Sequence, residues 1–398
     1  MSTPSVSGKW QSFGTSIFSV MTQQANAAGA VNLAQGFPDF DGPQVIKDAA
    51  VAALKGAYNQ YAPSAGLPEL RRLLAARQAS KSGLSYDWES EVTVFSGATE
   101  ALFCALQGLF APGDEIIAFA PFFDCYPAAA HSSGAKIIGV ELRAPDFRFD
   151  PAEFKRAITP RTKALLINSP HNPTGRVFDD DERRFLRDIA VAHDLVVITD
   201  EVYEELVYAP AKHHTLAAMP GMRERTLIIS STAKTFSFTG WKIGYAFGPK
   251  ALTDVLRTVH QFTVFCSATP LQMGMVAALK LQETYYDDLR RGYLERRDLL
   301  VKILLEHGFK AKAPEGTYFV VADYAQRSQL GDLDYALELT TRAKVAAIPV
   351  SVFYNDPKEA GQRLRLLRFA FCKGLDTLSS AAANLQLAGA AQAAKARI

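Results

Sequence analysis

Short apolar segments alternate with helical segments between residues 91 and 248, and this alternation restricts the possible folds more than any other feature of the chain. The predicted strands are residues 91–95, 114–120, 135–142, 163–168, 195–201, 226–230 and 243–248. Helical patterns follow several of them, at residues 99–110, 150–158 and 179–194. Apolar strands separated by helices are typical of a mostly parallel sheet that helices cover on both faces. The sequence therefore predicts an α/β fold.

The length of the chain and its C-terminal pattern predict a second, smaller domain. A chain of 398 residues is longer than one ordinary hydrophobic core requires. After the last strand of the alternating region the chain is mainly helical, with further short strands at residues 317–324 and 364–372. We predict a large domain over residues 46–289 and a smaller α+β domain that combines residues 1–45 and 290–398.

The composition excludes several classes of protein. Hydrophobic residues make up 48% of the chain, charged residues 21%, and the net charge of +2 is spread without a block of like charge. This gives no electrostatic reason to expect nucleic acid or a membrane surface as a partner. The opening residues lack the apolar stretch of a signal peptide, and no run is long enough to cross a bilayer. Because Cys104, Cys125, Cys266 and Cys372 are scattered, we expect no disulfide framework, no metal site and a cytoplasmic location.

A glycine-containing string follows the first sheet strand. Residues 96–102 read SGATEAL and lie between a predicted strand and a predicted helix. Gly97 allows a close turn of the backbone, and the N–H groups of Ala98 and Thr99 stand at the start of the helix. Unpaired N–H groups and the helix dipole favour a phosphate at such a position. Taken alone, the string is a weak signal, and it favours an ordinary helix start over a phosphate site.

Two polar clusters follow later strands, where ligands bind in open α/β sheets. Residues 169–175 read SPHNPTG, and the two prolines fix the backbone around Asn172. Residues 199–206 read TDEVYEEL, with Asp200 at the end of a strand and Tyr203 three residues later. A carboxylate in a buried position needs a cationic partner, which the ring nitrogen of a ligand could supply. A proline turn and a helix-capping acid are the alternative interpretations.

Basic residues in apolar surroundings form the last two clusters. Lys234 lies in a predicted Ser/Thr-rich loop within residues 229–244, and Lys242 follows in the same segment. A lysine amine near other cations and away from bulk water has a depressed pKa and can attack a carbonyl. Arg368 lies in an apolar strand within residues 364–373 and could bind a carboxylate in a bidentate fork. Exposed loop lysines and an internal salt bridge are the alternatives.

Together these strings resemble the class I/II aminotransferases of pyridoxal-phosphate (PLP) fold type I. The matching strings are SGATEAL, PFFDCY, HNPTG, DEVY, SSTAK, TGWKIGY and RFAF. The strings NLAQGFPDF, NQYAPSAG and GTYF add a resemblance to the branch with methionine, kynurenine and glutamine–oxo-acid aminotransferases. The resemblance implies a mostly parallel seven-stranded sheet between helices in the large domain. It also implies PLP-dependent transfer of an amino group from such an L-amino acid to a 2-oxo acid, by a ping-pong mechanism in a homodimer with a shared active site.

The resemblance assigns a role to individual residues of this chain. Lys234 would be the Schiff-base lysine, Asp200 would bind the ring nitrogen of PLP, and Tyr203 would bind the phenolic oxygen together with Asn172. The remaining cofactor-binding residues would be Gly97, Ala98, Thr99, Phe123, Ser231, Lys242 and, from the neighbouring subunit, Tyr61. The substrate-binding residues would be Arg368 and the backbone of Gly36 for the carboxylate, Phe18 and Phe265 for the side chain, and also Asn172.

One residue departs from the pattern, and other activities stay open. Ala233 precedes Lys234 at a position where this branch commonly has glycine, which puts the hydrogen bonding around Ser231 in doubt. A cysteine-S-conjugate β-lyase and an N-succinyldiaminopimelate aminotransferase are alternatives with the same cofactor. A PLP-sensing transcription regulator would carry an N-terminal DNA-binding module, for which there is no room before residue 35. A PLP-binding scaffold without activity and a dehydrogenase are disfavoured, because the reactive residues are intact and no GxGxxG follows an early strand.

Overall fold

The computed structural model of the chain describes residues 8–11 and 13–395. Residues 1–7, residue 12 and residues 396–398 of the predicted small domain lie outside the described residues. Strands β1 to β13 are Val31–Asn32, Val92–Phe95, Glu115–Ala120, Lys136–Glu141, Thr162–Asn168, Val196–Asp200, Thr226–Ser231, Gly244–Phe247, Lys310–Ala311, Phe319–Asp323, Val345–Ala346, Ile348–Pro349 and Leu366–Ala370. Helices α1 to α14 are Ile17–Ala28, Gln44–Lys55, Pro68–Ser82, Ala98–Leu109, Cys125–Ser133, Pro151–Ala157, Asp180–Ala192, Thr232–Thr235, Lys250–Thr263, Thr269–Ala278, Glu283–Glu306, Asp332–Arg342, Pro357–Arg363 and Leu375–Lys395.

The large sheet is built by the alternating region of the sequence. Its strand order in the described chain is β2-β8-β7-β6-β5-β3-β4, and β8 runs in the direction opposite to the other six strands. Along β3, Ile116 and Ala118 pack into one hydrophobic cluster, whereas Ile117 and Phe119 pack into another. Since side chains alternate across a strand, both faces of the sheet are buried. This confirms the predicted α/β fold with its mostly parallel sheet of seven strands.

A smaller sheet carries the C-terminal strands. Its order is β12-β13-β10-β9, with antiparallel neighbours, and β1 pairs separately with β11 in parallel. Arg368 of β13 is placed between Val321 of β10 and Ile348 of β12. Both neighbours are apolar, so the guanidinium has no charged partner at either of these paired positions. The predicted boundary between the large and the small domain, at residues 289 and 290, falls inside α11. The domain boundaries stay a prediction.

Local side-chain chemistry explains where several helices begin. Asp179 and Glu182 form a reciprocal capping box at the start of α7. Asp150 accepts a 2.8 Å hydrogen bond from the Ala152 N–H at the start of α6. Pro68 occupies the first turn of α3, where its missing N–H costs nothing. Helices α6 and α7 thus begin within one residue of the helical patterns predicted at residues 150–158 and 179–194.

Two parts of the structure differ from the sequence prediction. Residues 17–28, for which no helix was predicted, form α1, which Ser16 caps and which buries Met21 and Ala25 in the hydrophobic core of the smaller sheet. Lys234, predicted in a loop, lies in the single helical turn α8 instead. A turn of four residues is too short to produce a helical periodicity in the sequence.

No helix in the described part of the chain combines the length and the apolar character that a membrane span requires.

Candidate active site

A cavity of about 300 Å³ opens at the carboxyl ends of β5, β6 and β7 and reaches Arg368 on β13. Its position agrees with the general rule for ligand sites in open α/β sheets. Most of the residues singled out in the sequence line it. They are Phe18, Gly36, Gly97, Ala98, Thr99, Phe123, Asn172, Asp200, Tyr203, Ser231, Lys234, Lys242 and Arg368.

Two of the predicted residues lie outside this cavity. The Tyr61 side chain is 83% exposed and Phe265 is 43% exposed, and their ring centroids are 5.4 Å apart in an edge-on arrangement. Within one chain, neither ring contributes to the lining. The two residues therefore form a common surface feature rather than part of the cavity wall.

Lys234 reaches the cavity from the short helix α8. Its Nζ donates a hydrogen bond of 3.4 Å to the Gly36 carbonyl oxygen and lies 5.9 Å and 5.6 Å from the ring centres of Tyr203 and Tyr318. Enclosure by the protein lowers the pKa of Lys234 to about 8, and the cations Lys242 and Arg368 act in the same direction. An appreciable fraction of the amine is therefore neutral, and nucleophilic, near neutral pH.

Asp200 is a buried carboxylate without a basic partner from the described residues. It ends β6, accepts a 2.7 Å hydrogen bond from the Tyr126 hydroxyl, and accepts a weaker one of 3.4 Å from the Val202 N–H. No Lys, Arg or His side chain in the described chain forms an ion pair with it. Burial raises the pKa of Asp200 to about 6. Such a carboxylate is stabilised when a ligand brings a positive charge to it.

Asn168 joins the ends of two neighbouring strands and fixes the loop that follows. It lies opposite Asp200 at the end of β5, and its Nδ2 donates to the Asp200 carbonyl oxygen at 2.8 Å. Its Oδ1 accepts a 2.7 Å hydrogen bond from the Asn172 N–H. Asn172 Oδ1 in turn accepts from Arg368 Nη1 at 2.9 Å. Because Oδ1 of Asn172 is engaged, its NH₂ group is the part that can donate to a ligand.

Arg368 is a buried cation whose hydrogen-bonding capacity is only partly used. Its side chain is 1% exposed, Nη2 donates to the Ala34 carbonyl oxygen at 2.9 Å, and its Cζ lies 3.9 Å from the ring centre of Phe319. Burial lowers the pKa of Arg368 to about 10, so the group stays charged at neutral pH. Its buried Nε has no hydrogen-bond partner among the described residues. An orphaned donor on a buried guanidinium favours a carboxylate ligand.

Glycines keep open a small cradle at the start of α4. Gly97 has φ +90°, and a Cβ there would come within 2.9 Å of Lys242 Cε. A Cβ on Gly244 would lie 2.4 Å from the Ala98 nitrogen. Ser231 ends β7 beside Gly244, with which it is in register. The N–H groups at the start of α4, the Ser231 hydroxyl and Lys242 thus surround a space that stays open because residues 97 and 244 are glycines. Such a space suits an anion.

The charges of the cavity define the type of ligand it can accept. Lys234, Lys242 and Arg368 outnumber the single carboxylate, Asp200, among its described lining residues. The cavity therefore favours anionic ligands, with a cationic group at Asp200 and a carbon centre near the Lys234 amine. Fold and site together define an α/β enzyme with a reactive lysine at the carboxyl edge of its sheet.

The family model for aminotransferases of class I and II matches residues 28–372, and the chain belongs to this family. A probable N-succinyldiaminopimelate aminotransferase of Mycobacterium tuberculosis is 43% identical over 94% of this chain and 96% of its own length. The methionine aminotransferase of Escherichia coli is 38% identical over 95% of this chain and 97% of its own length. The solved structure of an E. coli methionine aminotransferase has a TM-score of 0.92, with 37% identity over 97% of this chain and all of that chain. The protein is thus an amino-group transferase.

Several residues at the site were not predicted from the sequence. Gln35, Leu102, Asn168, Val202, Ala233, Thr239 and Phe319 also line the cavity. A polar residue that ends an apolar strand was the available signal for Asn168. Tyr126 was part of the matching string PFFDCY, but its bond to Asp200 depends on two elements that are distant in the sequence. Phe319 carried no local signal, because an apolar residue in a strand is ordinary.

Proposed function

We propose that the cavity binds PLP and that the protein transfers the amino group of an L-amino acid to a 2-oxo acid. Family members of class I and II depend on PLP, and the residues present fit this cofactor. The observation that carries the proposal is that the cavity contains both a lysine amine with a lowered pKa and a buried carboxylate without a basic partner among the described residues. Lys234 can bond covalently to an aldehyde, while Asp200 can pair with a protonated ring nitrogen.

The same residues divide the remaining tasks of cofactor binding. Asn172 would donate its NH₂ group, and Tyr203 its hydroxyl, to the phenolic oxygen of the ring. Phe123 would pack on the ring face. The phosphate would bind in the glycine-lined cradle, to the N–H groups at the start of α4 and to the side chains of that cradle. These cradle residues are Gly97, Ala98, Thr99, Ser231 and Lys242.

The chemistry would be shared between the cofactor and the chain. When bound, PLP supplies an electron sink that stabilises negative charge at the substrate Cα. Asp200 would keep the ring nitrogen protonated, since its carboxylate is stabilised by a positive charge. Lys234 would accept the proton from Cα as a general base and later return it as an acid, which its pKa of about 8 allows near neutral pH. Arg368 would hold the α-carboxylate, with the backbone of Gly36 beside it.

The substrates we propose are methionine, aromatic amino acids, kynurenine or glutamine. Their side chains would extend toward Phe18 and, in an assembled dimer, toward Phe265. An N-succinyldiaminopimelate aminotransferase activity is a second candidate, because the relative with that name is 43% identical over almost the whole chain.

We further propose that two copies of the chain form a homodimer with a shared active site in the cytoplasm. Thr99 and Lys242 line the cavity and are nevertheless exposed in one chain. Tyr61, Phe262 and Phe265 form an exposed aromatic set, at 83%, 79% and 43% exposure. Burial of this set by a second copy would bring Tyr61 to the phosphate. The four free cysteines suit a reducing compartment.

A spectroscopic test can separate amino-group transfer from other activities. The purified protein with PLP is mixed with one amino acid at a time, without an oxo acid, and the cofactor absorbance is followed. A spectral change that a 2-oxo acid reverses is the expected result. Release of ammonia and a 2-oxo acid without any acceptor would favour β-elimination instead. Failure of every amino acid to change the spectrum would contradict the proposal.

A further inference from the structure

The Gly36 carbonyl oxygen accepts hydrogen bonds from two side chains beside the cavity. The Tyr318 hydroxyl donates one, and Lys234 Nζ donates the other at 3.4 Å. A carbonyl oxygen has two lone pairs, so both donors can bond to it at the same time. The Tyr318 side chain is buried, and its ring centre lies 5.6 Å from Lys234 Nζ. Tyr318 is therefore connected to the Lys234 amine through one shared acceptor.

The backbone around Tyr318 is fixed to other parts of the chain. The Tyr318 carbonyl oxygen accepts a 2.8 Å hydrogen bond from the Phe371 N–H. The Thr317 N–H donates to the Leu206 carbonyl oxygen at 2.8 Å, and the Thr317 carbonyl oxygen accepts from the Tyr208 hydroxyl at 2.6 Å. These bonds join the segment before β10 to the loop after β6. They make the tyrosine a rigid support for the group that its hydroxyl contacts.

The peptide groups next to Gly36 are held by other donors. Arg368 Nη2 donates to the Ala34 carbonyl oxygen at 2.9 Å, and Lys373 Nζ donates to the Phe37 carbonyl oxygen at 2.8 Å. Loss of the tyrosine hydroxyl would therefore free the orientation of the Gly36 carbonyl without freeing the chain on either side of it.

A lysine amine reacts through its lone pair, and the direction of that lone pair matters. The neutral amine of Lys234 has two N–H groups and one lone pair. When one N–H bonds to a fixed oxygen, rotation about the last bonds of the flexible side chain is restricted, and so is the direction of the lone pair. A reacting group that is held in place beforehand reacts faster than one that must first be oriented.

We propose that Tyr318 is a positioning residue for Lys234. Its hydroxyl orients the Gly36 carbonyl oxygen, and this oxygen holds the amine so that its lone pair meets a carbonyl carbon or the proton on the substrate Cα. In the proton transfer the Cα–H bond breaks, its electron pair stays with the substrate and the cofactor, and a new N–H bond forms on Lys234. The inference rests on the proposed function and adds to it a residue outside the cavity lining.

The test compares Tyr318→Phe with Tyr324→Phe and with the wild type. Tyr324 is equally buried, and its hydroxyl donates to the Leu330 carbonyl oxygen at 2.9 Å, so each variant loses one bond from a hydroxyl to a carbonyl. Stopped-flow absorbance measures the rate constant with which cofactor-free protein captures PLP, as a function of pH. Single-turnover mixing of the loaded protein with the best amino donor gives a limiting rate constant and an apparent Kd.

Tyr318→Phe should lower the plateau rate constant of PLP capture above pH 8 by roughly tenfold, and the limiting rate constant of the half-reaction by a similar factor. The pH midpoint should stay near 8, since enclosure by the protein sets the pKa of Lys234. The apparent Kd of the amino acid should stay within about twofold. Tyr324→Phe should match the wild type in all of these measurements, although unfolding curves should show a similar loss of stability in both variants.

If either rate constant is unchanged in Tyr318→Phe, the inference is wrong. An equal fall in Tyr324→Phe would also overturn it, because the effect would then be a general loosening of the small domain. A pH midpoint that moves by about one unit with an unchanged plateau would assign Tyr318 an effect on the pKa of Lys234 and would contradict a positioning role. In these cases amino-group transfer by the wild type still stands. If the wild type captures no PLP, the inference falls together with the proposed function.

Discussion

At the scale of single residues, Lys234 and Asp200 differ from the surface charges of the chain because the protein encloses them. Enclosure lowers the pKa of the amine to about 8 and raises the pKa of the carboxyl to about 6. Both pKa shifts favour the neutral form of the group. A ligand that reacts with the amine would use the neutral form of Lys234, and a ligand that brings a cation would stabilise the ionised form of Asp200. Each shift leads to a measurable pH dependence.

The reaction of Lys234 with PLP should depend on pH with a midpoint near 8. Only the neutral amine attacks an aldehyde, so the rate constant of cofactor capture should rise about tenfold per pH unit below pH 8. Above pH 8 it should level off. Stopped-flow absorbance of cofactor-free protein mixed with PLP measures this rate. A rate that still rises tenfold between pH 9 and pH 10 would indicate a lysine with the ordinary pKa of 10.5.

Asp200→Asn should stabilise the protein when no cofactor is present. The folded-state pKa of about 6 lies above the ordinary value of 3.8, so the folded protein binds more protons than the unfolded chain between these values. The contribution of Asp200 to stability is thus favourable at low pH and is lost as the pH rises through 6. Above pH 6, Asp200→Asn should raise the free energy of unfolding by about 1–3 kcal/mol.

Denaturant unfolding between pH 4 and pH 8 checks the Asp200 prediction, with Asp188→Asn as the control. The exposed Asp188 should give no comparable gain. With PLP bound, the wild type should be more stable than Asp200→Asn, because the neutral amide of the variant carries no negative charge to pair with the protonated ring nitrogen. A variant that is less stable than the wild type at pH 8 without PLP would argue against an unpaired buried carboxylate.

At the scale of elements, the start of α4 depends on Gly97. Gly97→Ala adds a Cβ at φ +90° that comes within 2.9 Å of Lys242 Cε, whereas a Cβ on Gly113, at φ +94°, would have no heavy atom within 4 Å. Both substitutions introduce backbone strain of about 1–2 kcal/mol. Only Gly97→Ala should also displace Lys242 and weaken PLP binding, by roughly tenfold or more.

Fluorescence titration of both glycine variants with PLP, alongside their unfolding curves, separates the two effects. Gly113→Ala serves as the control for backbone strain alone. Equal PLP affinities in the two variants would mean that the cradle at the start of α4 does not hold the phosphate.

The elements predicted best from the sequence are those whose signal is local. The apolar runs of β3 to β8 and the acidic start of α7 placed these elements to within a few residues. Helix α1 was missed because its Ser, Thr and Asn residues have low helix propensity, and burial of Met21 and Ala25 stabilises the helix. Asp200 ends a strand and Asn172 lies in the loop after the preceding strand, so the sequence predicted both at the same edge of the sheet. The bonds from Tyr126 and Asn168 join different elements and required the three-dimensional structure.

At the scale of the whole molecule, the exposed aromatic set of Tyr61, Phe262 and Phe265 predicts a dimer. Phe262→Asp should weaken association by about 100-fold or more, since it places a charge in an interface that excludes water. Leu305→Asp, at a residue that is 52% exposed on α11, is the matched control. Sedimentation velocity measures the association of both variants. A wild type that is monomeric and fully active, or a Phe262→Asp variant that stays dimeric, would contradict the shared active site.

Covalent mapping of the cofactor tests the central claim most directly. The protein is incubated with PLP, reduced with borohydride, digested and analysed by mass spectrometry, with Lys234→Ala as the control. The label should appear on Lys234 in the wild type, and no lysine should carry it stoichiometrically in the variant. A label on another lysine, or no label on either protein, would show that the enclosed amine of Lys234 does not join the cofactor.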